Sequence, residues 1–333
     1  MRINDFDTDK NVFVIAEIGN NHEGDFTLAQ EMIGRAAEAG VDAVKFQTFI
    51  PEFFISRADV ERIDQLRGFQ LSFSQFEALA RQADTAGVTF FSTPLDLESA
   101  HFLNTLQPLF KIASGDNTFL PLIETVASFN KSILISTGLA DLALLDRLHG
   151  LWQEQAGRSE LAFLHCVASY PVPSEQANLG AIHTLQKRYP ELTIGYSDHT
   201  LGIEAATCAV AAGARIVEKH FTLDKQHSDF RDHQLSADPT EMAELVDVIR
   251  HVDDMVGSGE KTAQPCEEEL QVAARRSIAV KRDLPANYEL VWQDLCWVRP
   301  GSGMAVGQEK DVLGRRTKRV MQQGELIQPE DLL

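Results

Sequence analysis

Short runs rich in β-branched and aromatic residues recur along the chain at 12–17, 43–48, 89–93, 110–114, 132–137, 161–167, 193–198 and 215–220. Each predicts a strand. Between most of them lie amphipathic stretches such as 27–39 and 76–86, followed by Gly40 and Gly87, where a left-handed C′ residue would close a helix. The unit is βα, repeated. Near-continuous apolar strands are what a parallel sheet covered by helices requires, and eight such units in about 220 residues predict a closed (β/α)8 TIM barrel, with an open doubly wound sheet as the alternative.

The pattern changes after the eighth unit. Residues 254–275 are polar and carry Gly257, Gly259 and Pro265 ahead of an acidic run at 267–269. Beyond them a weak repeat relates Glu289-Leu290-Val291 and Asp294-Leu295 to Glu325-Leu326-Ile327 and Asp331-Leu332, as in a small β-rich module with two similar turns. The expected organisation is a catalytic barrel over 1–255, a linker over 256–275 and a second domain over 276–333.

The 333 residues, 44% apolar and 24% charged, supply ample core and no case for disorder. A net charge of −19 argues against nucleic acid and anionic membrane surfaces as partners. Residues 276–333 carry nine basic and eight acidic side chains, so the excess acid belongs to the barrel. The four cysteines show no CxxC spacing, residues 1–10 lack the apolar stretch of a signal peptide, and no run of about 18 apolar residues occurs. A reduced, cytoplasmic protein is expected.

Chemistry in such a barrel sits at the carboxyl ends of the strands, and here every strand ends polar. Lys45 and Lys111 are embedded in apolar runs and would be costly to bury without an anion or carboxylate partner; a phosphate ligand would satisfy both. Thr93, Ser114 and Ser136, from three consecutive strands, are candidate neutral donors around it. His199 and His220 end adjacent strands and are candidate ligands of an open divalent metal such as Mn2+. Glu17 is a candidate for proton transfer or sugar binding, although a pairing with Lys45 would look the same in sequence.

The segments Ile15-Ala16-Glu17-Ile18-Gly19-Asn20-Asn21-His22-Glu23-Gly24, Val44-Lys45-Phe46-Gln47-Thr48, Lys111-Ile112-Ala113-Ser114-Gly115, Gly195-Tyr196-Ser197-Asp198-His199-Thr200 and Glu218-Lys219-His220-Phe221-Thr222 resemble the sialic acid (N-acetylneuraminate) synthase family. Arg299-Pro300-Gly301-Ser302-Gly303 resembles the signature of that family's C-terminal antifreeze-like (SAF, β-clip) domain, so the resemblance spans nearly the whole chain. It implies condensation of phosphoenolpyruvate with an N-acylated aldose, N-acetylmannosamine or a trideoxy diacetamido relative, to a nine-carbon 2-keto acid and phosphate. By the same resemblance Lys45, Thr93, Lys111, Ser114, Ser136 and Tyr170 would hold phosphoenolpyruvate, and His199 and His220 would bind Mn2+ or Mg2+. Glu17, Gln47, Ser197 and Asp232 would contact the sugar. Arg299 would come from the other subunit of a domain-swapped homodimer.

Three positions depart from the family pattern: Asp116 where Glu is usual, Ala168 where Asn is common, and Leu95 in place of a common Phe. Asp116 is retained as the candidate base, and the changes suggest a branch with a different sugar. Two other readings follow: a catalytically silent carbohydrate-binding or assembly relative, and another barrel lyase or aldolase with a Schiff-base lysine.

Overall fold

The computed structural model describes residues 1–155 and 160–333, which form two compact units, Met1–Gly257 and Ser258–Leu333. In the first, parallel strands β1 (Phe13–Gly19), β2 (Ala43–Thr48), β3 (Thr89–Pro94), β4 (Leu109–Ile112), β5 (Ser132–Ser136), β6 (Leu161–Cys166), β7 (Thr193–Asp198) and β8 (Ile216–His220) pair in the order β3-β2-β1-β8-β7-β6-β5-β4. Pairing of β8 with β1 makes the sheet a barrel, since the first and last strands lie side by side. The helices between strands start at caps written in the sequence. Asp25 accepts from Thr27 and Leu28, Ser72 forms a capping box with Gln75, and Asp238 forms one with Glu241. Gly40 and Gly87 have φ of +83° and +76°, as their place after a helix requires.

Between β3 and β4 no backbone ladder forms among the described residues, although the strands are neighbours. The buried side chain of Gln107 replaces it: Ser92 N donates to Gln107 Oε1 at 2.7 Å, and Gln107 Nε2 donates to the Ser92 carbonyl at 3.1 Å. Gln107→Ala should therefore strand two buried backbone groups and cost about 2–4 kcal/mol. Urea unfolding checks this, and a midpoint equal to that of the unsubstituted protein would refute it.

Alternation along the strands decides what fills the barrel. Phe13, Ile15, Ala43, Phe91, Leu109, Leu134, Ala162, Leu164 and Ile216 form one buried interior cluster, joined from below by Met1, Ile3 and Phe6 of an N-terminal hairpin (Arg2–Ile3, Phe6–Asp7). Two residues further along the same strands come Glu17, Lys45, Thr93, Lys111, Ser136, Cys166 and Glu218. The interior switches from hydrocarbon to polar atoms at one level, which becomes the floor of the site. Gly195 belongs to the crowded part: a Cβ there would meet Leu164 Cδ2 at 2.4 Å and the Ile216 carbonyl at 2.6 Å.

Strand four is shorter than the sequence run suggests. It stops at Ile112, and Ser114–Asp116 turn into a 3-10 helix closed by Asp116 N donating to the Ala113 carbonyl at 3.0 Å. The stretch 256–275 contains the end of the helix Pro239–Val256 and a further helix, Glu268–Ala274.

The second unit has an antiparallel pair, β9 (Ser277–Val280) and β10 (Leu295–Val298), around a core that includes Ile278, Leu284, Leu295, Met321 and Ile327. Its sequence repeat is a structural one. Asp294 and Asp331 are both buried, each accepts a backbone N–H three residues upstream (Val291, 3.2 Å; Gln328, 3.0 Å), and each accepts from an arginine (Arg282, 2.9 Å; Arg319, 2.8 Å). All four cysteines are unpaired, and no described helix is long and apolar enough to cross a membrane.

Candidate active site

One cavity of about 330 Å³ opens at the carboxyl ends of the strands. It is lined by Glu17, Lys45, Gln47, Thr93, Lys111, Ser114, Asp116, Ser136, Tyr170, Ser197, His199, His220 and Asp232, every candidate that the sequence places in the barrel. Arg299 lies in the second unit, exposed just after β10.

At its floor two ammonium groups face two carboxylates. Lys45 Nζ is 2.7 Å from Glu17 and 3.7 Å from Glu218, and Lys111 Nζ is 2.9 Å from Glu218. Register explains the first contact, because Lys45 and Glu17 are paired neighbours on β2 and β1. The lysines are therefore compensated within the protein by carboxylates, one of the two kinds of partner the sequence argument asked for, and their burial does not by itself require a phosphate. Ser197 also donates to Glu218 at 2.8 Å. Burial alone would raise Glu218, but Lys111 and Lys45 outweigh it and hold the carboxyl far below the usual range. Glu17 goes the other way: burial, with the Glu218 charge behind it, outweighs Lys45 and raises it. Glu218 is thus the shared counter-ion of both lysines and Glu17 the more easily protonated acid. Burial lowers Lys111, and Lys45, with two carboxylates beside it, is raised.

Around this floor the hydroxyls differ in availability. Lys45 donates to Thr93 Oγ1 at 3.1 Å, and Ser114 Oγ accepts from Gly138 N at 3.2 Å and donates to Cys166 Sγ at 3.4 Å. Ser136 Oγ is buried with no hydrogen-bond partner among the described residues. Gly138 has to be glycine for this packing, since a Cβ would lie 2.6 Å from Ser114 Oγ.

The His199 and His220 rings are 5.3 Å apart. His199 Nδ1 lies 3.0 Å from the Val167 carbonyl, which fixes its tautomer with Nε2 as the free lone pair. His220 Nδ1 is buried without a hydrogen-bond partner among the described residues. Tyr170 packs against His199 at 4.1 Å, and the Arg231 guanidinium lies 4.6 Å from the centre of the Tyr170 ring. Among the described residues no group of three or more His, Cys, Asp or Glu side chains is placed to hold a metal ion, so the protein's share of such a centre would be these two imidazoles. Asp116, on its 3-10 turn, is pushed up to about 6 by burial.

Sequence reasoning gave no role to Glu218, Arg62, Phe54, Phe230 or Arg231, all of which line the cavity. Alternation carried the signal for Glu218, which shares the inner face with His220, while the intervening Lys219 pairs with Asp198 at 2.9 Å away from the cavity. The others sit on long connections, where no periodicity marks them. Phe54 and Arg62 come from helices Pro51–Phe54 and Val60–Phe69 after β2; Phe230, Arg231 and Asp232 come from the segment after β8. That segment is fastened to the loop after β1. Glu23 accepts from Ser228 and is bonded to buried His233 at 2.9 Å, and Asn21 Nδ2 donates to the Phe221 carbonyl at 2.8 Å.

Residues 32–261 match the NeuB family and residues 275–333 match the SAF domain. An uncharacterized protein of Methanocaldococcus jannaschii is 42% identical over 96% of this chain and 94% of its own. The N,N'-diacetyllegionaminic acid synthase of Campylobacter jejuni is 35% identical over 96% of this chain and 99% of its own. Among solved structures, the N-acetylneuraminic acid (sialic acid) synthetase of Leptospira borgpetersenii superposes with a TM-score of 0.77 at 34% identity, covering 81% of this chain and 94% of that one. The family match covers most of the barrel and the SAF match covers the second unit, and the chain belongs to the NeuB family.

Proposed function

We propose that the protein is a nonulosonic acid synthase that joins phosphoenolpyruvate to an N-acylated aldose, giving a nine-carbon 2-keto acid and phosphate. The observation that carries this reading is the placement of Lys45 and Lys111 in one cavity with the paired imidazoles of His199 and His220. An enol phosphate and an aldehyde need that combination side by side. The names of the relatives, which include sialic, legionaminic and pseudaminic acid synthases, support it. Commitment of both ammoniums to carboxylates argues against a Schiff-base aldolase.

The reaction balances with one water. The enol C3 of phosphoenolpyruvate attacks the aldehyde carbon as the aldehyde oxygen gains a proton. Water adds to C2 and loses a proton to a carboxylate, and the C2–O bond then breaks, leaving a ketone and inorganic phosphate. Lys45 and Lys111 would hold the phosphate and carboxylate charge, with Thr93, Ser114, Ser136 and Tyr170 as further contacts. Glu17, Gln47, Ser197 and Asp232 would hold the sugar. His199 and His220 fit a divalent ion, because one keeps an imidazole nitrogen free of the Val167 contact and the other has a buried nitrogen without a partner. Mn2+ or Mg2+ held there would supply Lewis-acid polarisation of the aldehyde. Arg299 would reach the N-acyl group from the partner in a domain-swapped homodimer, and the enzyme would work in the cytoplasm.

Asp116 would take the proton from water. Its raised pKa means that the base is protonated below about pH 6, so kcat/KM should fall on that side. Asp116→Asn should lower kcat about 100-fold or more and remove that limb. The same shift has a stability sign. The fold disfavours the ionised form, so the contribution of Asp116 is greatest below the ordinary value of 3.8 and is lost as pH rises through about 6. The Asn variant should therefore unfold at higher temperature than the unsubstituted protein at pH 8, with little difference near pH 3. An unchanged pH profile would remove Asp116 from the mechanism. The overall reading is tested by phosphate release from phosphoenolpyruvate with Mn2+ and a panel of N-acyl aldoses, followed by product mass spectrometry; no turnover with any of them would overturn it.

A further inference from the structure

The mouth of the cavity differs from its floor. The two long connections after β2 and β8 meet there, and Arg62, Phe230 and Arg231 also line an adjoining outer cavity of about 740 Å³. With the aldehyde end of an acceptor at the floor near His199 and His220, its distal carbons would lie toward these side chains. Three features of the mouth leave binding capacity facing the cavity. Asp232 is 8% exposed, and its Oδ1 is buried without a hydrogen-bond partner among the described residues, its one ion pair there being with the Arg231 guanidinium at 3.3 Å. The Arg62 guanidinium donates to the neutral amide of Gln65 at 2.5 Å and forms no ion pair among the described residues. Between them the wall is apolar: Leu66 belongs to a buried cluster with Phe49 and Leu95, Phe54 packs on that cluster, and Phe230 meets Phe69 edge-on at 5.1 Å.

We propose that Arg62, Asp232 and the wall of Phe54, Leu66 and Phe230 form a subsite for a second, uncharged acylamino group on the distal half of the acceptor, so that the enzyme selects a diacylamino, deoxygenated aldose over a sugar phosphate. This rests on the synthase reading above. An acylamino group presents one N–H donor, one carbonyl acceptor and one methyl, and each finds its complement in the carboxylate oxygen, the guanidinium and the apolar wall. A deoxygenated carbon leaves no hydroxyl stranded against phenyl rings. A phosphate fits less well: Asp232, Asp229 and Glu23 offset the two arginines, and the dianion would be desolvated against Phe54 and Phe230. The subsite is also held in place before substrate arrives. Gly24 packs so closely on the helix that carries Arg62 that a Cβ would lie 2.0 Å from the Gly68 carbonyl, and the Glu23 contacts to Ser228 and His233 tie down the opposite connection.

The test compares kcat/KM of the Mn2+-loaded enzyme, at saturating phosphoenolpyruvate, for N-acetylmannosamine, its 6-phosphate and a trideoxy diacetamido aldose. The diacetamido sugar should lead the other two by at least about 30-fold, the order expected when one buried polar pair is matched rather than stranded. Arg62→Met should remove about 10- to 30-fold of that lead, through KM for the diacetamido sugar, while KM for phosphoenolpyruvate stays within about twofold. Preference for either other aldose, or an equal loss with all three sugars in the variant, overturns the subsite and leaves the synthase reading standing. Absence of phosphate release with every sugar overturns the synthase reading, and the subsite with it.

Discussion

Lys111→Met is expected to lower kcat/KM for phosphoenolpyruvate about 1,000-fold, the usual cost of removing one preorganised charge-stabilising donor from a desolvated site. The same substitution should destabilise the fold by about 3–5 kcal/mol, because it strips the closest cation from a buried carboxylate. Glu218 is 4% exposed and would keep only Lys45 at 3.7 Å and the Ser197 hydroxyl at 2.8 Å. The two losses have different origins and separate in a double variant. Lys111→Met with Glu218→Gln removes the ion pair as a unit and should recover most of the stability, since the amide oxygen still accepts from Ser197 and no unpaired charge remains. It should recover none of the activity. Thermal unfolding and phosphate-release kinetics on the two variants check this. A double variant within tenfold of the original activity would mean that Lys111 is a structural cation only.

That comparison turns on Glu218, and its late appearance shows where the sequence is legible. Eight βα units, the capping residues and the polar strand ends follow from periodicity and residue type, so the barrel and the level of its floor are readable. The partners of the lysines are a matter of register and ring closure. Lys111 on β4 reaches Glu218 on β8, 107 positions away, across the barrel interior. No local pattern encodes that distance, although alternation through Glu218, Lys219 and His220 would have put the carboxylate on the inner face. Gln107 is still less legible, since a glutamine just before a strand has no signature for replacing a missing ladder. Arg62 and Arg231 were invisible for a third reason: they sit on connections whose course is set by packing such as that of Phe69 on Phe230. The motifs also include residues that never meet the cavity. Asp198 and Lys219 pair with each other, and Asp198 also accepts from Tyr196 at 3.1 Å. Their place in the motifs is accounted for by holding β7 and β8 together beside His199 and His220.

Those two histidines carry the second large effect. His199→Ala and His220→Ala should each abolish Mn2+-dependent turnover, a loss of at least about 1,000-fold, and should weaken Mn2+ binding itself. Losing an outer-sphere partner of a ligand commonly costs 10- to 100-fold in metal affinity, so losing a direct ligand should cost more than about 100-fold. Metal-free stability should respond differently in the two variants. His199→Ala forfeits the contact to the Val167 carbonyl, worth about 1 kcal/mol. His220→Ala opens a cavity but also removes a buried nitrogen that has no partner among the described residues, and these opposing terms should leave the free energy of unfolding within about 1–2 kcal/mol of the original. Titration of Mn2+ into metal-stripped protein, followed by its paramagnetic signal, reads the affinity without reference to turnover. Either variant that binds Mn2+ as tightly as the unsubstituted enzyme would show that the imidazoles are not its ligands. A variant that loses Mn2+ but keeps full activity would separate the ion from the chemistry, leaving Lys45, Lys111 and the carboxylates to activate both substrates unaided.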